Sequence, residues 1–252
     1  MNLGVDGKVA LITGASRGIG RAIALALAKE GVRTILVARS IDQLESVQNE
    51  MSGGTERHVC LALDLQLTDG PAQLINILNK KKIAPEIIVH NLGGSLGVTQ
   101  TFSPVDAWNK VWHFNVGIAH EINCHLIPRM IEGKWGRIVH LSTLSTATHS
   151  GYSAYTSAKC ALDGYVKSVS REVSKHNVII NAVAPGLVHL EGRYYAKLQS
   201  ENPEALEKYF DDHLPIRRMA SADEIATVVS FLCSEHAAYM PGSIVRVDGG
   251  GY

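Results

Sequence analysis

Tyr155 and Lys159 stand four residues apart, and their types and spacing carry the strongest chemistry in the chain. Four residues is about one helical turn, so a helix here puts phenol and ammonium on one face. A free phenol has a pKa of about 10 and keeps its proton at neutral pH. A fixed cation nearby favours the phenolate and draws that pKa down. Upstream, the stretch Thr13–Gly20 holds Gly14, Ser16, Arg17, Gly18, Ile19 and Gly20. Glycines there let backbone approach a pyrophosphate, and a helix N-terminus offers it free N–H groups. Together these residues describe a redox enzyme that moves a proton at Tyr155 while a nicotinamide moves a hydride.

The elements that must position these groups alternate along the chain. Short apolar runs at Lys8–Thr13, Thr34–Ala38, Val59–Leu63, Ile87–His90, Arg137–Leu141, Val178–Val183 and Ser243–Val247 read as strands. Helical patterns occupy Ile19–Lys29, Ile41–Met51, Thr68–Lys81, Val105–Ile131, Ser153–Lys175 and Ala222–Ser234. Continuous apolar strands separated by helices predict a parallel sheet covered on both faces. The fold class is therefore α/β, a single-domain, Rossmann-like, doubly wound parallel sheet over residues 1–252. The segment Leu187–Ala220 is long for a connection and rich in charge and aromatics, which predicts a substrate lid.

Composition narrows the partners. The 252 residues carry 24 Lys+Arg against 24 Asp+Glu, a formal net charge of +0. Such a balance argues against a nucleic-acid or anionic-membrane partner, which needs a basic face. No apolar run approaches the ~18 residues of a spanning helix, and the first residues show no signal-peptide core. Cys60, Cys124, Cys160 and Cys233 are scattered without a Cys-x-x-Cys pair, as in reduced, cytoplasmic proteins. His120 and His125 flank a faint zinc-protease pattern, but five residues apart they diverge on a helix, so no metal is expected.

Cofactor choice turns on the end of the second strand. Dinucleotide folds that prefer NAD carry a carboxylate there for the ribose 2′-OH. This chain has Arg39 and Ser40 instead. A guanidinium can fork onto a 2′-phosphate, and Arg17 adds a second cation, so NADP(H) is expected over NAD(H).

These pieces, in this order, resemble the short-chain dehydrogenase/reductase family over nearly the whole length. The matching residues are the Thr13–Gly20 turn, Asp64 and Leu65, the segment His90–Gly94 with Asn91 and Gly93, and Asn115. They continue with the strand ending at Ser142 and Thr143, the Tyr155/Lys159 pair, Pro185 with Gly186, and Val247–Gly250. The general likeness is to 3-oxoacyl-carrier-protein-reductase-like enzymes. The resemblance implies that Tyr155 exchanges a proton with a carbonyl or alcohol oxygen. It implies that Lys159 lowers the Tyr155 pKa and holds the nicotinamide ribose, and that Asn115 holds a water in a proton relay. Asp64, Leu65, Asn91, Gly93, Pro185, Gly186 and Val188 are implied as cofactor contacts. The polarising hydroxyl stays open. Counting forward from Asn115 points to Thr143, and counting back from Tyr155 points to Ser142. His90, Leu92 and Leu190 depart from the family pattern.

His149, Tyr152, His189, Arg193, Tyr194 and Tyr195 lie on segments expected near the substrate opening, which favours a small, polar substrate. The family resemblance further implies a homo-oligomer, a dimer built on the helices at Val105–Ile131 and Ser153–Lys175 or a tetramer extended by the last strand. The competing reading is a non-catalytic NADP(H)-binding sensor or scaffold. A sensor needs none of Tyr155, Lys159 and Asn115.

Overall fold

The computed structural model describes residues 2–251. Seven strands, β1 (Val9–Thr13), β2 (Arg33–Ala38), β3 (Val59–Ala62), β4 (Ile87–His90), β5 (Gly136–Leu141), β6 (Val178–Pro185) and β7 (Ile244–Val247), form one parallel sheet. Their order is β3-β2-β1-β4-β5-β6-β7. The chain winds outward from β1 to β3, crosses back, and continues through β4. The crevice between the C-terminal ends of β1 and β4 is therefore the switch point, where such sheets bind ligands.

Eleven helices accompany the sheet: α1 (Gly18–Lys29), α2 (Ile41–Asn49), α3 (Gly54–Arg57), α4 (Gly70–Lys80), α5 (Val105–Trp112), α6 (Ile118–Glu132), α7 (Ser145–Thr148), α8 (Ser153–Val173), α9 (Tyr194–Glu201), α10 (Pro203–His213) and α11 (Ala222–Leu232). Strand alternation splits the apolar side chains between two faces. Ala10, Ile12, Ile87, Val89, Val139 and Val183 pack with Ile23 and Leu27 of α1 and Ile225 and Val229 of α11. Leu11, Ile88, Ile138 and Ile180 pack with Leu74 of α4, Ile122 and Leu126 of α6 and Val166 of α8. Each fully buried Leu or Ile contributes roughly 1.5–3 kcal/mol of transfer free energy.

Two expectations need refinement. The stretch Val105–Ile131 is not one regular helix. A π-turn at His113–Gly117 interrupts it, between α5 and α6. Asn115 sits in that turn, and its amide donates to the Val111 and Gly94 carbonyls at 2.8 Å each. The segment Leu187–Ala220 is more than a connection, since it carries α9 and α10. Asn202 caps α10 by accepting from the Ala205 N–H, and Pro203 occupies its first turn. Leu206, Phe210 and Leu214 then build a small core of their own with Leu187, Leu198 and Met219.

Candidate active site

Backbone proximity creates the site. A Cβ on Gly20 would lie 2.2 Å from the Gly14 carbonyl oxygen, so only glycine lets α1 start this close to β1. Asn91, at the end of β4, donates to the carbonyls of Thr13 and Gly14 at 3.2 and 3.0 Å. The Thr13 hydroxyl accepts from Asn91 N–H at 3.1 Å. These bonds fix both sides of the crevice.

The crevice opens into a groove of about 1140 Å³. That exceeds the roughly 300–1,000 Å³ of ordinary ligand pockets and gives an extended dinucleotide room. Gly14, Ser16, Arg17, Gly18 and Ile19 form one wall, Arg39, Ser40, Asp64 and Leu65 one end, and Asn91, Gly93, Tyr155, Lys159 and Pro185 the other. The N-termini of α1 and α2 both reach it. Ser40 caps α2, its hydroxyl accepting from the Gln43 N–H at 3.4 Å. Arg17 and Arg39 are exposed, and neither enters an ion pair among the described residues. Glycine cradle, helix N-termini and free guanidinium groups are a donor set that fits a phosphorylated dinucleotide.

Three expected cofactor residues do not line the groove. Gly20 serves the α1–β1 contact. Gly186 packs so tightly that a Cβ would stand 2.7 Å from the Asp248 Cα. Val188 pairs with Ala220 at the lid's base. In exchange the groove gains Arg21, Gln43, Gln66, Phe114, Leu190 and Glu191. Arg21 and Gln43 follow Arg17 and Arg39 by four residues, a helical spacing visible in the sequence. Leu190 lies over the Gly-rich turn, 3.3 Å from where a Gly18 Cβ would be.

At the reactive end, α8 presents Tyr155 and Lys159 to the groove. Burial pushes the Tyr155 pKa up, and the neighbouring Thr143 side chain opposes that shift. Lys159 follows the phenol by one helical turn. The ammonium donates to the Leu141 carbonyl at 2.6 Å and lies 5.9 Å from the Tyr155 ring centroid. Lys159 is itself buried, which lowers its pKa to about 8, with the negative charge of Asp163 opposing. Asn115 closes the other side. It accepts from the Gly94 N–H at 3.0 Å and holds the loop after β4 by both ends of its amide. Gly93 fits where a Cβ would come within 2.7 Å of Asn115 Oδ1 and 2.8 Å of Lys159 Nζ.

The two hydroxyl candidates separate in space. Ser142 is buried and donates to Asp163 Oδ1 at 2.6 Å. Thr143 is the one that acts on Tyr155, opposing the upward shift of the phenol, and its Oγ1 accepts from the Ser145 N–H at 3.3 Å.

Of the six expected substrate residues, Arg193 alone lines the groove. His149 ends α7 in the left-handed region, exposed. Tyr152 is half-exposed just ahead of α8, and His189 is exposed, its N–H donating to the Ala220 carbonyl. Tyr194 is exposed. Tyr195 turns away into the lid core, its ring centroid 5.3 Å from that of Tyr209.

Parallel topology, glycine turn and a tyrosine–lysine helix face define a nucleotide-dependent oxidoreductase fold. The chain belongs to the short-chain dehydrogenase/reductase family. The profile described as Enoyl-(Acyl carrier protein) reductase matches residues 14–251. The 3-oxoacyl-[acyl-carrier-protein] reductase FabG of Pseudomonas aeruginosa is 32% identical over 251 residues, 99% of each chain. FabG of Escherichia coli (strain K12) is 32% identical over 98% of each. Among solved structures, L-sorbose reductase from Gluconobacter frateurii, complexed with NADPH and L-sorbose, superposes with a TM-score of 0.91. It is 32% identical and covers 100% of this chain and 98% of that one.

Proposed function

We propose that this chain is an NADP(H)-dependent oxidoreductase that interconverts a carbonyl and a secondary alcohol on a small, polar substrate. The carrying observation is the partly buried Tyr155 phenol, beside Thr143 and Lys159, at one end of a groove that also holds free Arg17 and Arg39. A phenol kept protonated by burial is a proton donor, which suits reduction of a carbonyl. Thr143 would polarise the substrate oxygen while Tyr155 gives up its proton. Lys159, an ammonium at neutral pH, would stabilise the phenolate left behind. Asn115 would keep the Gly93–Gly94 loop in place beneath the reacting groups. The cofactor, when bound, supplies the hydride. Arg39, Arg17 and the α2 N-terminus would hold its 2′-phosphate, and NADP(H) would therefore be preferred over NAD(H). NADP(H)-type neighbours support that reading, among them a 3-oxoacyl (acyl-carrier-protein) reductase from Agrobacterium tumefaciens C58 with NADP bound, 29% identical at a TM-score of 0.90.

The sorbose reductase likeness makes keto-sugars the first substrates to try, and the FabG relatives make β-ketoacyl thioesters the second. Loss of NADPH absorbance would be followed across both sets with wild type, Tyr155→Phe and Arg39→Ala. Tyr155→Phe is expected to lose roughly 10²–10⁴-fold in kcat. Arg39→Ala is expected to raise KM for NADPH at least about tenfold and to leave NADH nearly unchanged, as loss of a charge-assisted bond predicts. Full activity in Tyr155→Phe would refute the assignment.

We further read the chain as a cytoplasmic homo-oligomer, a dimer or tetramer. Val105 and Trp112 of α5 and Tyr239 before β7 are exposed apolar groups that a second copy would cover. No helix is long and apolar enough to cross a membrane among the described residues, and the cysteines are free thiols.

A further inference from the structure

Ser142 and Asp163 are joined side chain to side chain at 2.6 Å, across a partly buried junction of β5 and α8. Ser142 lines the groove and Asp163 lies behind it. Each adjoins a group at the reactive end. Ser142 immediately precedes Thr143, and Asp163 stands one helical turn beyond Lys159 on the same face of α8. One carboxylate thus touches the strand that carries the hydroxyl and faces the ammonium of the buried lysine.

We propose that Asp163 is a positioning residue for the reaction: it pins the end of β5 through Ser142 and supplies the counter-charge facing Lys159. The proposal rests on the functional reading above and deepens it.

The pin follows from the bond's placement. Past Leu141 the sheet no longer fixes the chain by side-chain packing on both faces. The Ser142 N–H still donates to Val183 at 2.7 Å, and its hydroxyl is held by Asp163. With both ends of Ser142 tied, the adjoining Thr143 is held near Tyr155. A charged acceptor makes such a bond about twice as strong as a neutral one.

The counter-charge follows from what else faces Lys159. From α8 itself come Tyr155 and Asp163. From β5 comes His140, fully buried, and from β4 comes His90, stacked on it with ring centroids 4.6 Å apart. Burial lowers both imidazole pKa values, His90 to about 4, so both are neutral at working pH. The π-turn contributes the neutral Asn115 amide. Among the described residues, Asp163 is then the one anion acting on Lys159, against the burial that would strip its proton. His140 adds to the need: neither ring nitrogen has a hydrogen-bond partner among the described residues, so it offers the ammonium no acceptor.

The test separates pin from charge. Asp163→Asn keeps an amide oxygen for Ser142 and removes the charge. Ser142→Ala removes the bond and keeps the charge. Removing a nearby anion disfavours the protonated lysine, so its titration moves to lower pH. In Asp163→Asn the alkaline limb of the kcat/KM profile for reduction should move down by at least about half a pH unit, a minimum set by a charge–charge interaction of that order. Ser142→Ala should lower kcat several-fold and leave the limb in place. An activity-independent arm uses ¹³Cε-labelled lysine and nuclear magnetic resonance. The resonance titrating near pH 8, assigned by its loss in Lys159→Arg, should titrate lower in Asp163→Asn. An unmoved Lys159 titration in a folded Asp163→Asn protein overturns the counter-charge, and an unchanged kcat in Ser142→Ala overturns the pin. A wild-type chain with no turnover would count against the enzyme reading alone, since the resonance arm still decides the charge.

Discussion

At the scale of single residues, the site is governed by burial more than by charge. Tyr155 lies one helical turn from a lysine, yet desolvation pushes its phenol towards the protonated form, and the ammonium is turned to the Leu141 carbonyl. The reaction direction this favours is proton donation. Thr143 is the hydroxyl that opposes the rise of the phenol pKa, so Thr143→Val should cost at least about tenfold in kcat with little change in KM, as loss of a transition-state hydrogen bond does. Ser142→Ala should cost less, because that hydroxyl faces Asp163. Steady-state kinetics on the two variants would decide it, and a larger loss in Ser142→Ala would reverse the assignment.

Elements set what those residues can feel. β4 and β5 run side by side in a register that pairs His90 with His140, and both rings enter the apolar layer under α6 and α8. His90 is anchored there by Asn123 of α6 at 2.9 Å, which in turn donates to the Tyr165 hydroxyl of α8. Native His90 stays neutral down to about pH 4, whereas the unfolded chain takes up its proton near 6.5. Between those values the unfolded state binds more protons, so stability falls as pH drops. The loss from His90 approaches about 3 kcal/mol at the acid end, and His140 adds in the same direction. Urea unfolding from pH 7 to 4.5 should show this slope, and His90→Asn should reduce it by about one proton. An unchanged slope would mean the pair is not held neutral.

For the molecule as a whole, the sheet and the lid are built differently. The sheet is sandwiched between two extensive cores. The segment with α9 and α10 rests on a separate cluster around Leu206, Phe210 and Leu214 and meets the rest through Leu214 and Ile216 against Gly249 and Leu190 over Gly18. A cluster that small predicts a local folding unit of lower stability. Phe210→Ala removes its largest buried side chain, a change that costs roughly 3–5 kcal/mol in a well-packed core. Amide exchange through residues 194–213 should accelerate while the strand amides keep their protection. Substrate KM should rise, since Arg193 reaches the groove from the base of α9. Uniform loss of protection across the sheet would show instead that lid and sheet unfold together.

Local rules made much of this legible in the sequence. Strands and helices alternate where the apolar runs and 3.6-residue patterns place them, and the Gly-rich turn announces the switch point, because these signals depend only on near neighbours. The four-residue spacing of Tyr155 and Lys159 set them on one helix face for the same reason. Asn202 and Pro203 mark the start of α10 by local rules, but the core under α9 and α10 joins residues across Leu187–Met219, and no short window shows that packing. Other features needed the tertiary structure outright. Gly186 and Val188 match the family pattern, yet packing against Asp248 and Ala220 keeps them out of the groove. Ser142 and Thr143 are adjacent in sequence and equal by count. Only the docking of α8 on β5 gives one to Asp163 and the other to Tyr155. Residue types fix what each group can do in water; which charges and hydroxyls lose that water together is decided by long-range packing, and that sets proton affinity.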